Sequence, residues 1–384
     1  MKVILHVGTH KTGTSSIQNF LTTNSEKLLS QGVYYGLSKE SIRNVNDIAA
    51  HIAYGRKKEV ELFFNEIIEY AKKKETKCLF ISAESLYSMT GFFHSLQSNK
   101  IDDYWQSETL FISFLSDCLK EVEVEIIMYL RRQDIFLESI YNQFIKQWPG
   151  YRGSIDEFYN ICPEILDYEQ HLSLWTELFP DATLTVKSFE IEKPDLINRL
   201  LVNDLNINDK SDFVYPKKAI NTRLKPSYLS FKRILNNMDM TLSEAYVVSR
   251  IIMKLSQNEI NDIEDSGYTL ISKALLDDIV NRYANDNDRL VQIFLDGNKN
   301  AQLDLRQCAV EKKKIYPRLE ISEGIKIYCQ YKKLRRTPKA VLEIKIRNFI
   351  KRVLISFPVT EHVFYWLRKI NNKNRLRLER EGTF

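Results

Sequence analysis

Cysteine is scarce in this chain and never paired in sequence: Cys78, Cys118, Cys162, Cys308 and Cys329 form no CxxC motif and are odd in number. That usage argues against a disulfide framework and against a thiolate zinc site, and it fits a reducing compartment. Long apolar runs are missing as well. No window supplies the ~20 apolar residues of a membrane span, and the apolar run in "VILHV" is too short for the core of a secretory signal. Internal repeats and low-complexity tracts are also lacking. The expectation is a soluble, cytoplasmic protein.

What is present is a chain of 384 residues, 44% of them hydrophobic, enough for one large α/β domain or two smaller ones and too apolar for disorder. Its net charge of +5 is unevenly spread. Residues 301–384 hold 21 Lys/Arg against 8 Asp/Glu, whereas the first 300 residues hold 34 against 42. A boundary near residue 300 follows, with the basic character confined to an extension.

Hydrophobic periodicity orders the first 300 residues. "KVILHV" reads as a buried strand, and from Thr14 the spacing Ile17, Phe20, Leu21 switches to a helical face. "VELFFNEIIEYAKKKE" reads as a helix and "KCLFIS" as a strand. Helix Phe111–Lys120 precedes the strand "VEVEIIMYL". Asp134–Lys146 is helical and stopped by Pro149 and Gly150, Tyr168–Phe179 is helical, "ATLTVKSF" is a strand, and Pro194–Leu201 is helical again. Strands alternating with helices predict an α/β fold: a parallel sheet of P-loop nucleotide-binding type flanked by helices, with right-handed crossovers. Residues 203–225 read as a long loop, and 226–300 as mainly helical.

The chemistry concentrates in "HVGTHKTGTSS", residues 6–16. Gly8 and Gly13 keep the spacing of a nucleotide-triphosphate loop, but Thr14 occupies the lysine position and Lys11 lies inside the loop. A glycine turn between strand and helix aims backbone N–H groups and a positive dipole end at one spot, where a phosphate binds. A lysine three residues early suits a shorter donor, on which it would neutralise the bridging oxygen of a leaving group.

"HKTGTSSIQ" resembles the 5′-phosphosulfate loop of the sulfotransferases that use 3′-phosphoadenosine 5′-phosphosulfate (PAPS), near the "HKTGTT" form of carbohydrate and bacterial members. The resemblance implies that Lys11 contacts the bridging oxygen while Thr12, Gly13, Thr14 and Ser15 hold the 5′-phosphate, with His10 and Ser16 flanking them. It also implies a 3′-phosphate site made by an arginine ending a strand and a serine eight residues later, the interval of Arg131 and Ser139 in "YLRRQDIFLESIYNQF". Arg132 competes with Arg131 for this role. The late basic loop "YPKKAINTRLKPS", with Lys217, Lys218 and Arg223, is a candidate to close over the nucleotide.

In-line sulfuryl transfer needs a base opposite the leaving group. Glu84, after the strand "KCLFIS", should lie at the same carboxyl edge as Lys11; His51 and His10 are the rivals. His94, His171 and His362 fall in no motif. The implied activity is sulfuryl transfer from PAPS to a carbohydrate hydroxyl, with release of 3′,5′-ADP and no metal. The alternatives are a P-loop kinase or NTPase, against which Thr14 and the apolar "CLFIS" ending speak, and a non-catalytic anion-binding protein of the same fold. The basic 301–384 extension interleaves Lys/Arg with apolar and aromatic residues. It is expected to meet an anionic membrane surface or glycan, and no nucleic-acid module accompanies it.

Overall fold

The computed structural model describes residues 1–10, 12–36, 42, 45–87, 104–147, 150–161, 163–216, 223–258, 268–297, 303–304, 314–316 and 321–334. Lys11, Lys217, Lys218, His94, His362, Cys162, Cys308 and the extension from 335 onward lie outside the described residues, and so do the expectations attached to them.

The described chain runs β1 (Lys2–His6), α1 (Thr14–Thr23), β2 (Val33–Tyr35), α2 (Lys57–Lys73), β3 (Cys78–Ser82), α3 (Tyr104–Leu119), β4 (Glu123–Leu130), α4 (Gln133–Lys146), α5 (Tyr168–Leu178) and β5 (Thr183–Ser188). Four longer helices follow: α6 (Pro226–Asn236), α7 (Leu242–Asn258), α8 (Lys273–Phe294) and α9 (Ile321–Leu334). The five strands form one parallel sheet in the order β2-β3-β1-β4-β5. The expected α/β class and parallel sheet are therefore present.

Strand order fixes where a ligand can sit. From β1 the chain leaves past β3 toward β2, and from β4 it leaves the other way toward β5, so the loops following these adjacent strands part in opposite directions. A crevice opens at such a switch point, at the carboxyl ends of the strands. The loop residues described after β1, 7–10 and 12–13, and Arg131–Arg132 after β4 flank this point.

The faces of the sheet follow from period-2 alternation. Ile4, Phe80, Ile127 and Tyr129 pack on one face against Ile17, Phe20 and Leu21 of α1. Full burial of those three α1 side chains contributes roughly 1.5–3 kcal/mol each. The same core takes in Leu200, Leu201, Leu205, Ile207 and Phe213.

That last group anchors the expected long loop, 203–225, from within. Leu200–Asp204 is a single π-helical turn, and the residues after it carry buried apolar anchors at Leu205, Ile207 and Phe213. Asn24, at the end of α1, ties the segment down: its Nδ2 donates to Val214 O at 2.9 Å and its Oδ1 accepts from Val214 N at 2.8 Å. Spaced apolar anchors among polar residues fit neither period, so the sequence pattern hides them.

The chain divides into two compact units, and the division does not follow a boundary near 300. The first unit comprises residues 1–144, 153–223 and 263–316, and contains the whole sheet and α8. Helix α8 is held there by the Tyr283 hydroxyl, which donates to Pro163 O at 2.8 Å. A reciprocal amide pair adds to this: Gln133 Nε2 donates to Asn287 Oδ1 at 2.7 Å and Asn287 Nδ2 to Gln133 Oε1 at 2.8 Å.

In the second unit, α6, α7 and α9 pack together with the segment Ile145–Arg152. Its polar centre is Lys232, whose ammonium donates to Ile145 O at 3.2 Å and Gln147 O at 3.4 Å and to Asn236 Oδ1. Burial pushes this lysine down to about 7.

Candidate active site

Backbone bonds carry β1 into the loop without a break: Val7 N donates to Ile127 O at 2.8 Å and Thr9 N to Tyr129 O at 3.2 Å. The loop is then closed by its own hydroxyls. Thr9 Oγ1 donates to Tyr129 O at 3.0 Å and Thr12 Oγ1 to Thr9 O at 2.6 Å, and both threonines are buried. Thr12 thus spends its hydroxyl inside the loop. Gly13 is the N-cap of α1 with φ 78° and ψ 6°, a left-handed conformation that suits glycine, and its carbonyl accepts from Ser16 N at 2.9 Å and Ile17 N at 3.1 Å. Neither a side-chain cap nor an acidic residue occupies the first turn of α1. The helix therefore presents its positive end to the crevice uncountered by its own sequence.

Space at Gly13 is tight as well, and a side chain there would have to displace its neighbours. A Cβ there would overlap Leu196 Cδ2 and come within 3.2 Å of Phe189 Cε2. Phe189 and Leu196 follow β5 and press on the loop from the chain's far side. Phe189 also carries Arg131, whose guanidinium carbon lies 5.2 Å from the centre of the Phe189 ring. Arg131 Nε donates to Glu190 Oε1 at 2.9 Å, and the Arg131 carbonyl accepts from the Tyr168 hydroxyl at 2.5 Å. Burial pulls the Arg131 pKa below the ordinary guanidinium value, with the Glu190 carboxylate opposing.

Arg132 differs in kind. It is buried and forks onto Asp134, with Nε to Oδ1 at 2.7 Å and an η-nitrogen to Oδ2 at 3.0 Å. This bidentate pair closes the start of α4 on itself. Of the two arginines, Arg131 is the one joined to the Gly13 loop through Phe189, while Arg132 serves the helix start. Ser139 lies on α4 and is buried.

Glu84 stands at the same strand edge, in a 3-10 turn (Glu84–Leu86) directly after β3. The Thr14 hydroxyl donates to its Oε2, and His10 Nδ1 lies 3.8 Å from its Oε1. Beneath the loop, His6 N𝛿1 is 2.9 Å from Ser82 Oγ, and the His6 carbonyl accepts from Ala83 N at 3.2 Å. Gln18 Nε2, from α1, donates to Ser82 O at 3.0 Å. These bonds stitch β1, α1 and the end of β3 into one frame under Glu84. Burial drives the His6 pKa down to about 3, so its ring is neutral. Its Nε2 is buried without a hydrogen-bond partner, 3.6 Å from where a Cβ on Gly8 would lie.

The structure brings His10, Thr12, Gly13, Thr14 and Glu84 together and joins Arg131 to them. Ser15 and Ser16 follow on the first turn of α1. Elsewhere, the His51 ring meets Glu59, with Nδ1 2.6 Å from Oε2, on a short helix (Ile48–Ala53) packed against the Glu84 turn. Arg223 is exposed and pairs with Glu138 at 3.3 Å.

Sequence reading missed Phe189, Leu196, His6 and the Gln133–Asn287 pair. His6 was detectable as a polar residue ending a strand in which every other position is buried or nearly so. The others depend on long-range contacts with no local pattern.

A groove away from this site is lined by Glu169, Ser173, Thr176, Leu290, Ile293 and Phe294. Among the described residues no cluster of His, Cys, Asp or Glu is arranged to hold a metal ion, and no helix is long and apolar enough to cross a membrane.

No protein-family model matches the chain. Over 178 residues, 46% of this chain, it is 26% identical to an uncharacterized protein from Archaeoglobus fulgidus, and it spans about half (47%) the length of that curated relative. Among solved structures it is similar to the crystal structure of a sulfotransferase from Alicyclobacillus acidocaldarius. That likeness has a TM-score of 0.34 and 13% identity, and covers 67% of this chain and 96% of that one. At this level it carries no weight for the site, whose features are a helix start capped by Gly13, an arginine at the end of β4 and a carboxylate at the neighbouring strand end.

Proposed function

We propose that the chain is a sulfotransferase that moves a sulfuryl group from PAPS to a hydroxyl of a carbohydrate acceptor. The observation that carries this reading is the juxtaposition of three groups at one switch point: the uncapped start of α1 behind Gly13, Arg131 joined to it through Phe189, and Glu84 on the adjoining strand end. A cradle of this kind suits the 5′-phosphate, and an arginine fork suits a 3′-phosphate dianion.

The reaction is an in-line displacement. The acceptor oxygen forms a bond to sulfur, the bond from sulfur to the 5′-phosphate oxygen breaks, and that oxygen keeps the electron pair. The acceptor proton passes to the Glu84 carboxylate, and 3′,5′-ADP leaves. Lys11 is assigned to the bridging oxygen on its place in the motif alone. The carbohydrate acceptor rests on the motif as well, and so does an anionic surface or glycan as the partner of the basic 301–384 extension.

Calorimetric titration with 3′,5′-ADP, ADP and ATP, each with and without magnesium, tests this reading. Tight binding of 3′,5′-ADP, indifferent to magnesium, is expected. Preference for ATP with magnesium would replace the reading with a kinase or NTPase.

A further inference from the structure

Thr14 has one hydroxyl proton to give, and it gives it to Glu84 Oε2. That bond bears on roles, because a hydroxyl donating to Glu84 is not donating to a phosphate oxygen. On the other side, His10 Nδ1 faces Glu84 Oε1 at 3.8 Å, with the two side chains 13% and 27% exposed. Both carboxylate oxygens therefore face groups supplied by the loop between β1 and α1.

Two other described imidazoles near Glu84 take their own partners. His6, below it at the end of β1, is fully buried, neutral and turned to Ser82. His51, on the short helix packed against the Glu84 turn, is 2.6 Å from Glu59.

We propose that Thr14 and His10 are positioning residues for Glu84: they hold its carboxylate ionised and aimed, instead of gripping the donor's phosphate. The proposal rests on the sulfotransferase reading and revises the roles that the loop motif implies for these two side chains. The cradle for the 5′-phosphate is then backbone N–H at the start of α1. The base is coupled to the donor loop by direct contact, so whatever moves the loop moves the base.

The test reads Glu84 directly and needs no acceptor. Glutamate carboxyl carbons are labelled with 13C and titrated by NMR in the ligand-free full chain, the Glu84 signal being the one lost in Glu84→Gln. Loss of a donor to a charged group raises a carboxyl's midpoint, here by about one pH unit in Thr14→Val, and Thr14→Ser restores it. His10→Gln also raises it, because the Nδ1 group facing Oε1 is lost.

An unmoved midpoint in Thr14→Val overturns the proposal, and an unmoved midpoint in His10→Gln removes His10 from it. A Thr14→Val protein with an unmoved midpoint and tenfold weaker 3′,5′-ADP binding would make Thr14 a phosphate ligand. Failure of the sulfotransferase reading shows separately, as absence of 3′,5′-ADP binding by the unaltered protein. Thermal unfolding of each variant establishes that it is folded.

Discussion

Replacing Gly13 by alanine perturbs the site at its tightest point, and the structure separates the cost into two parts. The first is backbone: at φ 78° an L-residue pays about 1–2 kcal/mol. The second is steric, since the new methyl overlaps Leu196 Cδ2 and crowds Phe189 Cε2 at 3.2 Å. Overpacking of this kind costs about 1–3 kcal/mol.

Together the expected destabilisation is roughly 2–5 kcal/mol. A double-mutant cycle assigns the parts, because Leu196→Ala empties the clashing space and leaves the backbone strained. The assay is urea unfolding of the four proteins followed by circular dichroism, with 3′,5′-ADP affinity measured alongside. Gly13→Ala should be the least stable single variant, and the double variant should recover the steric part only. Stability of Gly13→Ala within about 0.5 kcal/mol of the parent, the range of inconsequential surface changes, would refute the reasoning. So would a double variant no better than the sum of its parts.

The adjacent arginines should separate cleanly. Arg131→Ala is expected to weaken 3′,5′-ADP binding at least tenfold, whereas Arg132→Ala, which breaks a part-buried bidentate pair with Asp134, should cost about 1–3 kcal/mol in urea unfolding and leave that affinity largely intact; the reverse pattern of affinities would exchange their roles. In acid, His171 is a sensitive group: it is buried, 3.0 Å from the Tyr104 hydroxyl, and its pKa is pushed by burial from 6.5 to about 3. The folded state thus binds its proton less tightly than the unfolded state, so stability is lost as pH falls from about 6.5 toward 3, by up to about 1.4 kcal/mol per pH unit. His171→Phe should flatten the pH dependence of the urea midpoint over that window, and an unchanged slope would contradict a neutral buried His171.

Much of the frame was legible because its signals are local. Strands β1 and β3 are short apolar runs, β4 ends as one and β5 alternates, α1 repeats its apolar residues at helical spacing, and Gly8 and Gly13 bracket the loop between β1 and α1. The carboxyl-edge location of Glu84 followed from the strand before it. Three-residue β2 was too short to register a period, and the helix Ile155–Ile161 was not read from its seven residues. The choice between Arg131 and Arg132 could not be made from two identical letters. What distinguishes them in the structure is Asp134, two residues on, which captures one, and Phe189, nearly sixty residues away, which carries the other. Likewise the helical stretch after residue 226 reads as one block, yet α6 and α7 belong to one unit and α8 to the other, because Tyr283 and Asn287 find their partners at Pro163 and Gln133.

That interleaving constrains how the protein can be made. During synthesis the sheet strands and their first helices emerge early, but α8, which the first unit needs to bury Leu275, Ile279 and Leu290, follows the two helices of the other unit. Gln133, at the base of the arginine pair, waits for Asn287 until more than 150 further residues have left the ribosome. Neither unit can finish before the other has begun, so the usual order of one domain folding before the next appears does not apply. The nascent chain must hold an unfinished parallel sheet in the meantime, and the strand end carrying Arg131 and Arg132 is among the last parts to be locked.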